Sequence, residues 1–149
     1  MRTIRKFKIF IACAILVAGP PLYSQTPRLA LQGSKPIESE HIKGPHGLEG
    51  WTLNWPLLDA KDTSEKYAFT LVLAKDGRIL HIEGHPFIWK WMFWSDGREV
   101  SYETGPLHFS MSCVLVDAET GRQLAAFDCE YQDLPAHAPD WLQALVDKQ

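Results

Sequence analysis

Two Asp-Gly dipeptides, Asp76-Gly77 and Asp96-Gly97, each flanked by apolar runs, constrain this chain more than any other feature. A two-residue hairpin turn that matches strand twist needs positive φ at both central positions, which Asp tolerates and Gly adopts freely. Each dipeptide therefore predicts a β-hairpin with a definite register. Around Asp76-Gly77, pairing Lys75 with Arg78 sets Leu73 against Leu80 and Leu71 against Ile82, and Phe69 and Tyr67 extend that core face. The other face carries Thr70, Val72, Ala74, Ile79, His81 and Glu83.

In the second hairpin Ser95 opposes Arg98, so Trp89, Trp91 and Phe93 share a face with Val100 and Tyr102. Lys90 then meets Glu103 and Trp94 meets Glu99 on the opposite face; the opposed charges at 90 and 103 support the register. A third hairpin runs from about His108 to Glu130 around the loop Asp117 to Gly121. Phe109, Met111, Cys113 and Leu115 share one face of its first strand, and Phe127, Cys129 and Tyr131 one face of its second. After the polar stretch Gln132 to His137, Pro139 can open a short helix over about residues 139–147, with Trp141, Leu142 and Leu145 as its apolar stripe. The fold class expected is all-β: about six to seven antiparallel strands in hairpins, as a small sandwich or an open curled sheet, with one short C-terminal helix. No period of 20 to 50 residues recurs, so no solenoid is expected.

The N-terminal residues make a different kind of sense. Arg2, Arg5, Lys6 and Lys8 precede a wholly apolar run from Ile9 to Ala18, which Gly19-Pro20-Pro21 breaks. That is the charged and apolar pattern of a cleavable export signal, with the cut expected near Ser24. As a helix the apolar run would reach about 15 Å against a bilayer core of roughly 30 Å, so no stable membrane span is expected after cleavage. The product would be periplasmic or extracellular. Residues 25–50, with Pro27, Pro36 and Pro45, show no sustained apolar period and read as an extended arm, so that a single domain fills 51–149.

Removing residues 1–24 takes away four basic groups and moves the formal charge from −3 to −7, with eleven Lys and Arg against eighteen Asp and Glu. An acidic domain is a poor ligand for nucleic acid, whose binding rests on neutralising phosphates, so none is expected as a partner. Two cysteines then remain, Cys113 and Cys129, and an even count in an exported chain favours a disulfide. If Leu115 pairs with Ala125, the two lie diagonally at roughly 7 Å, at the limit for a bridge without some twist or a bulge.

The stretch Phe93-Trp94-Ser95-Asp96-Gly97-Arg98-Glu99-Val100-Ser101-Tyr102, followed by Leu115-Val116-Asp117 and Thr120-Gly121-Arg122, resembles one blade of the TolB-type periplasmic β-propeller repeat. The repeat's usual proline between Ser95 and Asp96 is missing, and the resemblance spans roughly 30 residues. It implies a blade-like sheet, since a closed propeller takes about four to eight blades and this chain has β-rich sequence for at most two. Leu71 to Ile79 and Trp91 to Val100 also echo two motifs of the C-terminal domain of TonB-like energy transducers, but that domain places a helix between them and Gly84 to Ile88 leaves no room for one. Neither likeness transfers a catalytic or binding residue.

Three functional readings follow. A structural or protein-interaction module would use the Trp-rich hairpin and show an apolar patch around Trp94. A carbohydrate or other ligand-binding module would need a groove lined by two or more exposed tryptophans, for which Trp94, Trp89 and Trp91 are the candidates; alternation with Lys90 otherwise places Trp89 and Trp91 in the core. A metal-dependent enzyme would use His81, Glu83 and His85, which share one side of a strand. They span about 13 Å, however, and meet at one ion only if the strand bends at Gly84. Serines and carboxylates are plentiful, but no Gly-x-Ser-x-Gly elbow or acid–base pair appears, so no catalytic residue and no cofactor are expected. The partner expected is an unknown protein or glycan.

Overall fold

The computed structural model describes residues 34–56, 65–108, 110–129, 134 and 137–148; residues 1–33, where the export signal is expected, Phe109 and Tyr131 lie outside them. The architecture is all-β with one short helix, and it has two antiparallel sheets. The first contains β1 (Ile37–Glu38), β2 (Ile42–Lys43), β3 (Glu49–Pro56), β4 (Lys66–Lys75) and β5 (Arg78–Glu83), ordered β1-β3-β4-β5 with β2 also on β3. The second is a meander of β6 (Phe87–Trp94), β7 (Glu99–Gly105), β8 (Ser112–Asp117) and β9 (Gln123–Asp128). Helix α1 (Asp140–Asp147) follows.

Turn chemistry sets the registers. Asp76 and Gly77 adopt φ of 50° and 77°, and Lys75 pairs with Arg78, Leu73 with Leu80 and Leu71 with Ile82. In the second hairpin Ser95, Asp96 and Gly97 all take positive φ, yet Trp94 still pairs with Glu99 and Lys90 with Glu103, whose charges lie 3.2 Å apart. In the third, Leu115 pairs with Ala125. Asp117 Oδ1 there accepts hydrogen bonds from the Thr120 hydroxyl and the Thr120 and Glu119 amides, at 2.7, 2.8 and 3.1 Å. These bonds, from Thr120 above all, hold the Asp117 carboxyl below its ordinary range.

Two features differ from expectation. Pairing begins at Ile37, ahead of the boundary placed at Trp51: β1 and β2 bond to β3, and Leu48 is core at 3 % exposure. Strands of two residues have no periodicity to read, so in sequence they are indistinguishable from an extended arm. The second difference is at Trp89. Ile88 pairs with Thr104 and Lys90 with Glu103, leaving Trp89 as the extra residue of a β-bulge. Its side chain leaves the alternation and is 37 % exposed, whereas Trp91 remains core at 8 %.

Two apolar layers hold the elements together. Leu71, Leu73 and Ile82 pack against Trp91, Val100 and Tyr102 between the sheets. The other face of the second sheet offers Cys113 and Leu115 to Trp141, Leu142 and Leu145 of α1. Two lysines fasten the end of the helix: Lys148 Nζ donates to the Trp91 carbonyl at 2.7 Å and Lys90 Nζ to the Val146 carbonyl at 3.1 Å. Cys113 and Cys129 form a disulfide with Cα atoms 5.8 Å apart, closer than a flat diagonal and within the usual range for a bridge.

Burial pushes the Tyr102 phenol above its ordinary value, which makes the core sensitive to alkali. A group whose folded pKa is raised contributes stability that is complete below the unfolded value, about 10, and is lost as pH climbs through the folded one. Stability should therefore fall above pH about 10, and Tyr102→Phe should flatten that limb. Lys148, whose pKa burial lowers, acts in the opposite sense below its ordinary value, so the comparison is between wild type and variant. Urea melts at pH 8, 10 and 11 test this; parallel losses in both proteins would exclude Tyr102 as the cause.

Candidate aromatic groove

The β1–β2 segment, β3 and the start of β4 in the first sheet stand opposite β6 of the second. Between them lies a groove of about 490 Å³. Its apolar lining comes from Ile42, Tyr67, Phe87, Ile88, Trp89 and Trp91. Facing it are Ser39, Glu40, Thr52, Asn54 and Lys66.

The bulge is what places Trp89 here. An alternating strand would have turned residue 89 into the core beside Trp91; the inserted residue turns it to the mouth of the groove instead. The indole is fixed by its own N–H, which donates to the Gly105 carbonyl at 3.0 Å. Edge-on contacts to Phe87 and Tyr67, with ring centroids 5.6 and 6.3 Å away, hold its plane. Tyr67 is tied down as well, its hydroxyl donating to Glu65 Oε2 at 2.8 Å, and that bond raises the phenol pKa. Trp91 forms the floor, where Gly50 makes room: a Cβ on Gly50 would stand 2.6 Å from the indole.

The polar wall is ordered by hydrogen bonds. The Thr52 amide donates to Ser39 Oγ at 2.9 Å, Thr52 Oγ1 to Asn54 Oδ1 at 3.1 Å and Asn54 Nδ2 to the Ile37 carbonyl at 3.2 Å. Two charged groups, Glu40 and Lys66, stand exposed on the rim. The groove thus joins a rigid aromatic wall to a row of side-chain donors and acceptors, a combination suited to orienting a ring-bearing polar ligand.

The other sequence candidates fall elsewhere. Trp94 is half-buried against the cluster that α1 makes with Cys113 and Leu115, so the apolar patch expected around it is covered by the helix. His81 and Glu83 lie on the edge strand β5, and Glu83 accepts the Thr70 hydroxyl at 3.0 Å. The His85 amide turns instead to Thr104 Oγ1, at 2.6 Å. Among the described residues no group of three His, Cys, Asp or Glu side chains comes together as metal ligands, so this trio does not converge. No described helix is long and apolar enough to cross a membrane.

A larger cavity of about 720 Å³ opens where the three hairpin turns meet the turn Pro45–Gly47. Its floor is aliphatic, from Leu48, Leu73 and Leu80, and some of its polar side chains pair with one another. His46 pairs with Asp96 at 2.8 Å and Arg78 with Glu119 at 3.2 Å, while the Arg98 guanidinium donates to Ser95. These ties hold the turns together, and no described Trp, Tyr or Phe lines the cavity, so size alone does not make it the better site. Sequence reasoning named Trp89 and Trp91 but missed Tyr67, Thr52 and Asn54 as groove residues. The alternation of Thr52 and Asn54 with Trp51, Leu53 and Trp55 was the available signal. Comparison with protein-family models, with curated proteins and with solved structures finds no match to this chain.

Proposed function

We propose that this protein is an exported, non-enzymatic ligand-binding β-domain, and that the aromatic groove receives a sugar ring of a glycan. The observation that carries the reading is Trp89: a bulged, half-exposed indole whose N–H is already satisfied and whose ring is held by Tyr67 and Phe87. A pyranose offers C–H groups on its flat face and hydroxyls at its edge, which suit Trp89 and the row Thr52, Asn54 and Glu40 respectively. A peptide docking by strand addition fits less well, because the bulge interrupts β6 and because β1 and β2 are two residues each. The disulfide and the N-terminal basic and apolar pattern support export.

The test is a fluorescence titration of the purified protein with N-acetylglucosamine oligomers and soluble peptidoglycan fragments, repeated on Trp89→Ala. Binding should shift tryptophan emission and protect part of it from acrylamide. Trp89→Ala should weaken binding by about 30-fold or more, the size of a hot-spot loss, while costing only about 1–2 kcal/mol of stability. Saturable binding that survives the substitution would remove the groove from the proposal, and no binding by any glycan would remove the ligand class.

A further inference from the structure

Among the described residues the two sheets present four strand edges, and three of them are guarded. On the first sheet, β1 and β2 are too short, and β5 carries Arg78, His81 and Glu83 among its six residues. On the second sheet, β6 is interrupted by the bulge at Trp89 and carries Lys90. Short strands, charges and bulges are the devices by which edges avoid pairing. The remaining edge, β9, reads Gln-Leu-Ala-Ala-Phe-Asp, with no charge before its last residue. Leu124 and Phe127 are exposed there at 38 % and 36 %. Its own register irregularity lies at the Leu124 end, so pairing is regular over residues 125–128.

We propose that β9 is a dimer edge, pairing antiparallel with β9 of a second copy about a two-fold axis through Ala126. The backbone supports this axis. The Cys129 amide donates to the Met111 carbonyl at 3.0 Å, so by strand alternation residues 125 and 127 also bond toward β8 and Ala126 turns its N–H and C=O outward. Two copies meeting at Ala126 exchange both bonds reciprocally. The next pair on either side is then Phe127 against Ala125 of the partner, a position where side chains approach most closely.

Large meets small there, twice by symmetry. Both residues lie on the helix side: Ala125 packs with the α1 cluster, and the Phe127 ring is 5.7 Å from Trp141. Each exposed Phe127 would be covered by the partner's Ala125 and the surface beside it. So short an edge buries an area at or below the low end of stable interfaces, roughly 1,200 Å², which predicts a weak, reversible dimer.

Sedimentation equilibrium of the purified protein from about 5 µM to 1 mM should show a monomer–dimer equilibrium. The axis makes residue 126 its own neighbour, so Ala126→Lys and Ala126→Glu should each be monomeric throughout that range, while an equimolar mixture of the two should associate at least as tightly as wild type. Ala126 is exposed, so both variants should keep the wild-type circular dichroism. Wild type that stays monomeric at 1 mM overturns the proposal. So does a wild-type dimer that Ala126→Lys leaves intact, which would place the contact elsewhere, and so does failure of the folded variants to associate when mixed.

Discussion

Replacing Cys113 and Cys129 together by Ala, or reducing the bond between them, is expected to lower stability by about 3 kcal/mol, the chain-entropy value for closing a loop of this size. The two residues are 16 apart in sequence. For a domain of this size that should appear as a fall in melting temperature of roughly 10–20 °C. The loss should fall unevenly. β9 is an edge strand with five of its six residues exposed, held by hydrogen bonds to β8, the bridge and the contact of Phe127 with Trp141. Without the bridge, amide exchange in β9 should accelerate before that of β7, whose residues are mostly buried. Cys113 is fully buried, so reductant should act slowly on the folded protein, whereas the double Ala variant shows the equilibrium cost directly. An unchanged melting temperature in that variant would mean the bridge adds nothing beyond the pairing of β8 with β9.

The hairpins were legible because their determinants are local. Asp-Gly turns need particular backbone angles, and the alternation of Leu71 and Leu73 with Thr70, Val72 and Ala74 leaves one register in which Leu80 and Ile82 reach the same core. The stripe of Trp141, Leu142 and Leu145 was legible for the same reason and is the buried face of α1. What failed was what depends on distant partners. The bulge at Trp89 carries no glycine or other punctuation and arises where β6 meets β7, so alternation placed the indole in the core when pairing turns it out. The pieces β1 and β2 exist only because β3 offers them an edge. Trp94 was placed on the correct face, but that α1 folds back over that face is a fact of tertiary packing. Most of the groove was hidden for this reason: its aromatic wall was visible as composition, while its shape comes from one extra residue in a strand and a wall to which the supposed arm adds Ser39, Glu40 and Ile42.

Phe87→Ala is expected to cost about 3–5 kcal/mol, the range for removing a fully buried aromatic, and so to consume much of a typical domain's stability of about 5–15 kcal/mol. Phe87 is 1 % exposed and is the ring on which the others converge, with Phe69 at 5.0 Å, Tyr67 at 5.2 Å and Trp89 at 5.6 Å. Phe69 and Tyr67 belong to the first sheet and Trp89 to the second, so this ring joins the sheets at the point where the groove opens. The backbone there is pinned as well: the Phe87 carbonyl accepts the buried Thr104 hydroxyl at 2.7 Å. Truncation should therefore loosen the groove while destabilising the fold, and glycan binding should fall even with Trp89 in place. Phe87→Leu separates the two effects, since an aliphatic side chain should restore much of the packing, at a cost of about 1–2 kcal/mol, without restoring the edge that the ring presents to Trp89. Urea denaturation of both variants, with binding measured on whatever fraction is folded, decides between a joint and a passive filler. If Phe87→Leu keeps full stability and full affinity, Phe87 only fills volume, and the Trp89 indole is held by Tyr67 and the Gly105 carbonyl alone.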